Sequence, residues 1–150
     1  MTNRHTEFML LAITEAKKAR DMNEVPVGAV ITKKSVVIGA GFNSVIRDNS
    51  VASHAEINAI KEASQCLDNY RLIDCSIYIT LEPCHMCAKA IIDARIQNVY
   101  FATPEPKTGA IISIDNFFDQ TVFNHRVNYN SGLMQAESSK LLKNFFQARR

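Results

Sequence analysis

Two short groups of residues carry the chemistry of this sequence. Cys84 and Cys87 stand in Pro83-Cys84-His85-Met86-Cys87, and His54 and Glu56 stand earlier in His54-Ala55-Glu56. Pro favours the first positions of a helix. The unpaired N–H groups and partial positive charge of a helix N-terminus stabilise thiolates. Two thiolates three residues apart at that end can hold one zinc ion, although redox dithiols share the spacing. His54 and Glu56 open the preceding predicted helix. Residues i and i+2 share no lateral helix face, so these two converge only on a point off the helix N-terminus. Two helices whose N-termini meet there bring His54, Cys84 and Cys87 together as three ligands with a fourth position open. That is the catalytic rather than the structural zinc pattern, and Glu56 then lies beside the water without binding metal. Taken singly, His54 reads as a satisfied surface histidine and Glu56 as an ordinary first-turn acid; the two motifs together select the metal reading.

The elements that must position these residues are visible in the apolar spacing. Met9, Ala12, Ile13 and Ala16 predict a helix over 6–22 with Thr6 as its cap. The β-branched runs 27–32 and 36–42 around Lys33-Lys34-Ser35 predict a hairpin, and 47–53 reads as a polar loop. Ala55, Ala59, Ile60 and Ala63 predict a helix over 54–65. A strand over 76–81, a helix over 84–94 and a strand over 98–102 follow. A Pro- and Gly-containing loop over 103–109 and a weak extended segment over 122–129 lead into a final helix bearing Leu141, Leu142, Phe145 and Phe146. Strands alternating with helices after a hairpin imply an α/β fold with a mixed central sheet and helices on both faces.

A chain of 150 residues suits one domain. Its 47% hydrophobic and 21% charged residues exclude disorder, collagen and coiled coil. The apolar run from Phe8 to Ile13 is far below the roughly 18 residues of a membrane span. With Glu7 just upstream and no small-residue cleavage site, it is not a secretory signal. The expectation is a cytoplasmic protein, in which cysteines serve metals or catalysis before disulfides. Cys66 and Cys75 stand alone and read as small buried hydrophobes. The net charge of +2 does not itself indicate nucleic acid. Lys140, Lys143, Arg149 and Arg150 make the C-terminal helix basic, most simply as a solvated face.

The paired signature of His-x-Glu with Pro-Cys-x-x-Cys is that of the zinc nucleobase deaminases. The chain resembles the cytidine-deaminase-like superfamily and, within it, the bacterial tRNA-specific adenosine deaminases. The resemblance runs over nearly the whole chain, through Glu24-Val25-Pro26-Val27-Gly28, Gly41-Phe42-Asn43, Tyr70-Arg71-Leu72, Thr80-Leu81-Glu82-Pro83, Lys107-Thr108-Gly109-Ala110, Asn124-His125-Arg126-Val127 and the closing Phe145 to Arg150. It implies hydrolytic deamination of adenosine to inosine at the wobble position of a tRNA anticodon, by a homodimer with one zinc ion per subunit. It places the zinc ligands at His54, Cys84 and Cys87 and the proton shuttle at Glu56. Base-holding groups fall at Asn43 and the Ala55 backbone, with Val27 and Leu81 packing on the base. RNA contacts fall at Glu105 (where the family often has Asp), Lys107, Asn124, His125 and Arg126. Phe145 and Phe146, like Met86 and Ile91, read as core or subunit packing.

Two other readings use the same residues. A deaminase of free dCMP or guanine fits the zinc motifs as well, and the flanking segments 107–109 and 124–127 argue against it. A non-catalytic zinc-stabilised binding module requires Cys75 or His85 to close a four-ligand site.

Overall fold

The computed structural model describes residues 3–149. Arg150, counted above in the basic C-terminal segment and the closing motif, lies outside them. The first helix, α1, spans Asn3–Asp21. It starts earlier than the spacing predicts, and Thr6 is an interior residue of its first turns rather than a cap.

The hairpin pairs β1 (Gly28–Lys33) with β2 (Val36–Phe42) antiparallel. Its turn residues Lys34 and Ser35 both have positive φ, at 49° and 64°. That backbone matches the right-handed twist of the flanking strands. On its other side β1 pairs antiparallel with β3 (Cys75–Leu81). Parallel pairing then adds β4 (Asn98–Thr103) and β5 (Asn128–Ser131). The sheet order is β2-β1-β3-β4-β5, the mixed sheet expected.

Alternation along the strands divides the interior in two. Ala29, Ile31, Ile77, Ile79, Val99 and Phe101 point to one face, beneath Ala55, Ala59 and Ala63 of α3 (Ala55–Leu67) and Ala88, Ile91 and Ile92 of α4 (His85–Asp93). Val30, Tyr78 and Ala102 point to the other, beneath Phe8, Met9, Ala12 and Ile13 of α1. Register carries the division across strands: Ala29 pairs with Ile79 and Ile79 with Phe101, while Val30 pairs with Tyr78 and Tyr78 with Tyr100. The last helix, α5 (Gln135–Gln147), packs beside α1 and against β3 and β4. Its Phe145 is buried, whereas Phe146 is half exposed.

Three local expectations are corrected. Overlapping the first two residues of the segment read as a loop, one helical turn, α2, forms at Val45–Asp48. Its cause is tertiary: the buried Glu24 carboxylate accepts the N–H of Ile46 at 3.2 Å and of Arg47 at 2.8 Å, satisfying donors that a helix start leaves unpaired. The extended segment predicted over 122–129 becomes strand only at Asn128–Ser131, because a parallel ladder to Asn98–Phe101 specifies it through the backbone. Cys75 is buried as expected, but Cys66 is exposed. The buried stripe Ala55, Ala59 and Ala63 of α3 continues at Leu67, which packs on the core, and Cys66 falls off it.

Candidate active site

The two helices that carry the motifs begin on the residues singled out. His54 is the N-cap of α3 and Cys84 the N-cap of α4, both with extended backbone and neither bonding its own helix through the side chain. Their carbonyls accept the first helical hydrogen bonds, from Asn58 to His54 at 3.0 Å and from Ala88 to Cys84 at 2.8 Å. The side chains are thereby left for a common target. Cys87 sits in the first turn of α4 and Glu56 in the first turn of α3, both buried.

The target is one cluster. His54 Nδ1 lies 3.7 Å from Cys84 Sγ and 3.4 Å from Cys87 Sγ, and the three ligand atoms all fall within 4.8 Å of one another. Bond lengths of about 2.05 Å to nitrogen and 2.3 Å to sulfur give a tetrahedral zinc site an N···S edge of about 3.6 Å. The donor set and its spacing therefore fit zinc. Among the described residues no fourth His, Cys, Asp or Glu joins the group. Cys75 stands at the opposite end of β3 from Leu81. His85 turns away: its Nε2 lies 2.9 Å from Asp115 Oδ2, and its ring meets Phe117 edge-on.

Electrostatics around the cluster favour a thiolate at Cys84. The Cys84 thiol is held down to about 3, first by the hydrogen bond from the Cys87 thiol and then by that from His54, against the cost of burial. Cys87 is pushed up, as donor to Cys84 and by burial. His54 is raised by its bond to the Cys84 sulfur. Both helix N-termini add positive potential at the same point. Glu56 is raised to about 7, chiefly by burial.

Beside the cluster a cavity of about 120 Å³ is lined by Val25, Val27, Asn43, His54, Glu56, Leu81, Glu82, Cys84 and Thr108. At ~30 Å³ per water it holds the equivalent of about four waters, the scale of one small heterocycle. Val27, Asn43 and Leu81 are among its walls. The Ala55 N–H donates to Asn43 Oδ1 at 2.8 Å, so it fixes the Asn43 carboxamide rather than opening on the cavity. Val25, Glu82 and Thr108 were not singled out from the sequence. Lining of this kind has no spacing signature, although all three lie within motifs that carry the resemblance.

Next to this cavity, and sharing Leu81 with it, a groove of about 270 Å³ runs along α5. Glu105, Lys143 and Phe146 are among its walls. Lys107 is exposed nearby, its N–H donating to Glu105 Oε1 at 3.0 Å. Asn124, His125 and Arg126 are placed apart. They precede β5, whose Asn128 pairs with Asn98 at the start of β4, whereas the cavity lies at the Thr103 end. Six strand residues at about 3.3 Å each separate the two ends by ~17 Å. His125 Nε2 meets the Ile96 carbonyl at 2.6 Å, and Arg126 donates to the Gln120 carbonyl at 3.0 Å.

The comparisons with known proteins agree with one another. A protein-family profile described as MafB19-like deaminase matches residues 3–150. A tRNA-specific adenosine deaminase of Agrobacterium fabrum is 42% identical over 145 residues, covering 97% of this chain and 95% of that protein. That of Haemophilus influenzae is 41% identical over 145 residues, covering 96% and 84%. A structure solved in a study of A-to-I editing by tRNA deaminases at the wobble position of transfer RNA matches with a TM-score of 0.89 and 42% identity, over 91% of this chain and 99% of that one. A guanine deaminase from Nitrosomonas europaea, at TM-score 0.82 and 21% identity over 93% and 83% of the two chains, shares the fold. By profile and by near full-length identity, the chain belongs to the MafB19-like deaminase family and to the tRNA-specific adenosine deaminases.

Proposed function

We propose that this protein is a cytoplasmic, single-domain enzyme that hydrolyses adenosine to inosine at the wobble position of a tRNA anticodon, working as a homodimer with one zinc ion per subunit. The observation that carries the reading is the convergence of His54, Cys84 and Cys87 beside buried Glu56, at the floor of a cavity sized for one base.

His54, Cys84 and Cys87 are the zinc ligands. Zinc held there supplies the acidity that makes hydroxide available near neutral pH. Glu56 accepts the first proton of the attacking water and delivers it to ring N1 as the C6–O bond forms. It then takes the second proton from the new C6 hydroxyl and gives it to the amino group, which leaves as ammonia when the C6–N bond breaks. It is general base and then general acid. Burial raises the Glu56 carboxyl, which favours its taking up the proton of the attacking water. Asn43 is oriented by the Ala55 N–H on its Oδ1, which leaves the amide NH₂ to donate to the base, while Val27 and Leu81 pack on the ring. The reacting base must leave its stack to enter so small a cavity, which costs least in a loop. Glu105 and Lys107 stand at the rim for the flanking anticodon nucleotides. Asn124, His125 and Arg126, ~17 Å away along the sheet, suit the stem.

The test is inosine formation on an anticodon stem-loop with adenosine at the wobble position. Free adenosine, guanine and dCMP run alongside, with Glu56→Ala as control. Wobble inosine that disappears in Glu56→Ala is the expected result. Turnover of only a free base or nucleotide reassigns the substrate. No turnover at full zinc occupancy overturns the enzymatic reading.

A further inference from the structure

Two residues before Cys84, the Glu82 side chain is buried, at 3% exposure, with no Lys, Arg or His paired to it among the described residues. Its charge is met by hydrogen-bond donors of a single loop. Oε1 accepts the Glu105 N–H at 3.0 Å and the Ser113 hydroxyl. Oε2 accepts the N–H groups of Ile111, Ile112 and Ser113 at 2.9, 2.8 and 3.1 Å. The loop closes down further at the Pro83 carbonyl, which accepts the Ala110 N–H at 2.9 Å. Gly109 passes so close to the carboxyl that a Cβ there would lie 2.3 Å from Glu82 Cδ. The same loop carries Thr108 into the wall of the base cavity and Glu105 into the adjoining groove.

We propose that Glu82 is a positioning residue for the RNA substrate: its buried carboxylate holds the 105–113 loop down so that Thr108 closes the base cavity and Glu105 and Lys107 stand at its rim. The proposal rests on the reading of that cavity as the site of an RNA deaminase. Only a carboxylate fits the role. Two donors converge on one oxygen and three on the other, so either orientation of a carboxamide sets its NH₂ against at least two donors. Because Cys84 begins α4 directly after Pro83, the turn that presents a ligand also presents the loop's anchor. Loop and cluster are thereby kept in register without a shared side chain.

The test uses the zinc-loaded protein with Glu82→Gln, Gly109→Ala and Ser113→Ala. It reads zinc content, kcat and KM on the anticodon stem-loop, and amide exchange over 105–113. Glu82→Gln and Gly109→Ala are each expected to raise KM by about tenfold while lowering kcat by less than about threefold. Zinc content stays at one per chain, and the amides of Ile111, Ile112 and Ser113 exchange at least about tenfold faster than in the parent while those of β3 and α4 do not change. Ser113→Ala, which removes one of five donors, falls between parent and Glu82→Gln. Unchanged exchange over 111–113 overturns the proposal. So does a loss confined to kcat and zinc content, the mark of a role in building the metal cluster. Should Glu82→Gln fail to fold, Gly109→Ala displaces the loop with the carboxylate intact and decides the matter. A parent enzyme that leaves wobble adenosine untouched defeats the substrate reading, whereas amide exchange still decides whether Glu82 holds the loop.

Discussion

His54 and Cys84 occupy N-cap positions, where Ser, Thr, Asp or Asn ordinarily bond the helix's own N–H groups. Neither makes a capping bond, so each helix gives up a stabilising contact of roughly 1 kcal/mol to aim a ligand off its end. Glu56 bears a related strain, a carboxyl buried in the first turn of α3 with its proton held to about pH 7. In the metal-free protein its sign is definite. The folded state binds this proton more tightly than the unfolded chain, so the stability from Glu56 is full below about pH 4.5 and is lost as pH rises through 7. Glu56→Gln keeps the shape and has no proton to lose. Urea unfolding in chelator should show the two proteins alike below about pH 4.5, separating between pH 4.5 and 7 and staying apart above it, the variant ahead by up to about 3 kcal/mol. Identical pH slopes would show that Glu56 is ordinarily ionised. The residues that bind and react were legible because ligand chemistry restricts residue type and spacing together. Glu24 and Glu82 were not, since their partners are backbone N–H groups of distant loops and no residue type marks such a partner.

At the level of elements, the position of the α3 N-terminus depends on β2. Ala55, Ala59 and Ala63 lie directly on Gly39 and Gly41; a Cβ on Gly41 would come 2.6 Å from both the Ala55 carbonyl and the Ala59 nitrogen. Small residues on both sides let the helix approach closely enough to bring His54 within 3.4 Å of Cys87. Gly41→Ala should therefore lower stability by about 1–3 kcal/mol through overpacking and weaken zinc retention in a competition with a chelator. An unspecific core defect would cost stability without the second effect, which separates the two accounts. The hairpin was readable from its β-branched runs on either side of Lys33-Lys34-Ser35, and the two site helices from their periodic burial. The single turn α2 has no buried residue and exists through Glu24. The strand β5 is a polar Asn-Tyr-Asn-Ser run whose ladder is written in β4. Both are specified tertiarily, so the local sequence carries no period to read.

For the whole molecule, the question is how a chain of net charge +2 holds a polyanion. A uniformly basic surface is absent, so attraction must come from individual cations set beside the cavity. Lys107 stands on the loop that Glu82 anchors, and Lys143 lines the groove along α5 that shares Leu81 with the base pocket. Each phosphate contact releases condensed counterions and adds about 0.7–0.9 to the slope of log affinity against log salt. Affinity for the anticodon stem-loop should then fall log-linearly with salt, with a slope of a few units rather than the steep dependence of highly basic proteins. Lys107→Ala and Lys143→Ala should each flatten that slope by up to about one unit while leaving zinc content unchanged. A deaminase of free bases would give a KM almost flat in salt, because a neutral heterocycle releases no counterions. The salt slope of the parent thus separates RNA from free-base substrates. The two lysine variants then show whether the recognition surface is the rim and groove that the fold builds around Leu81.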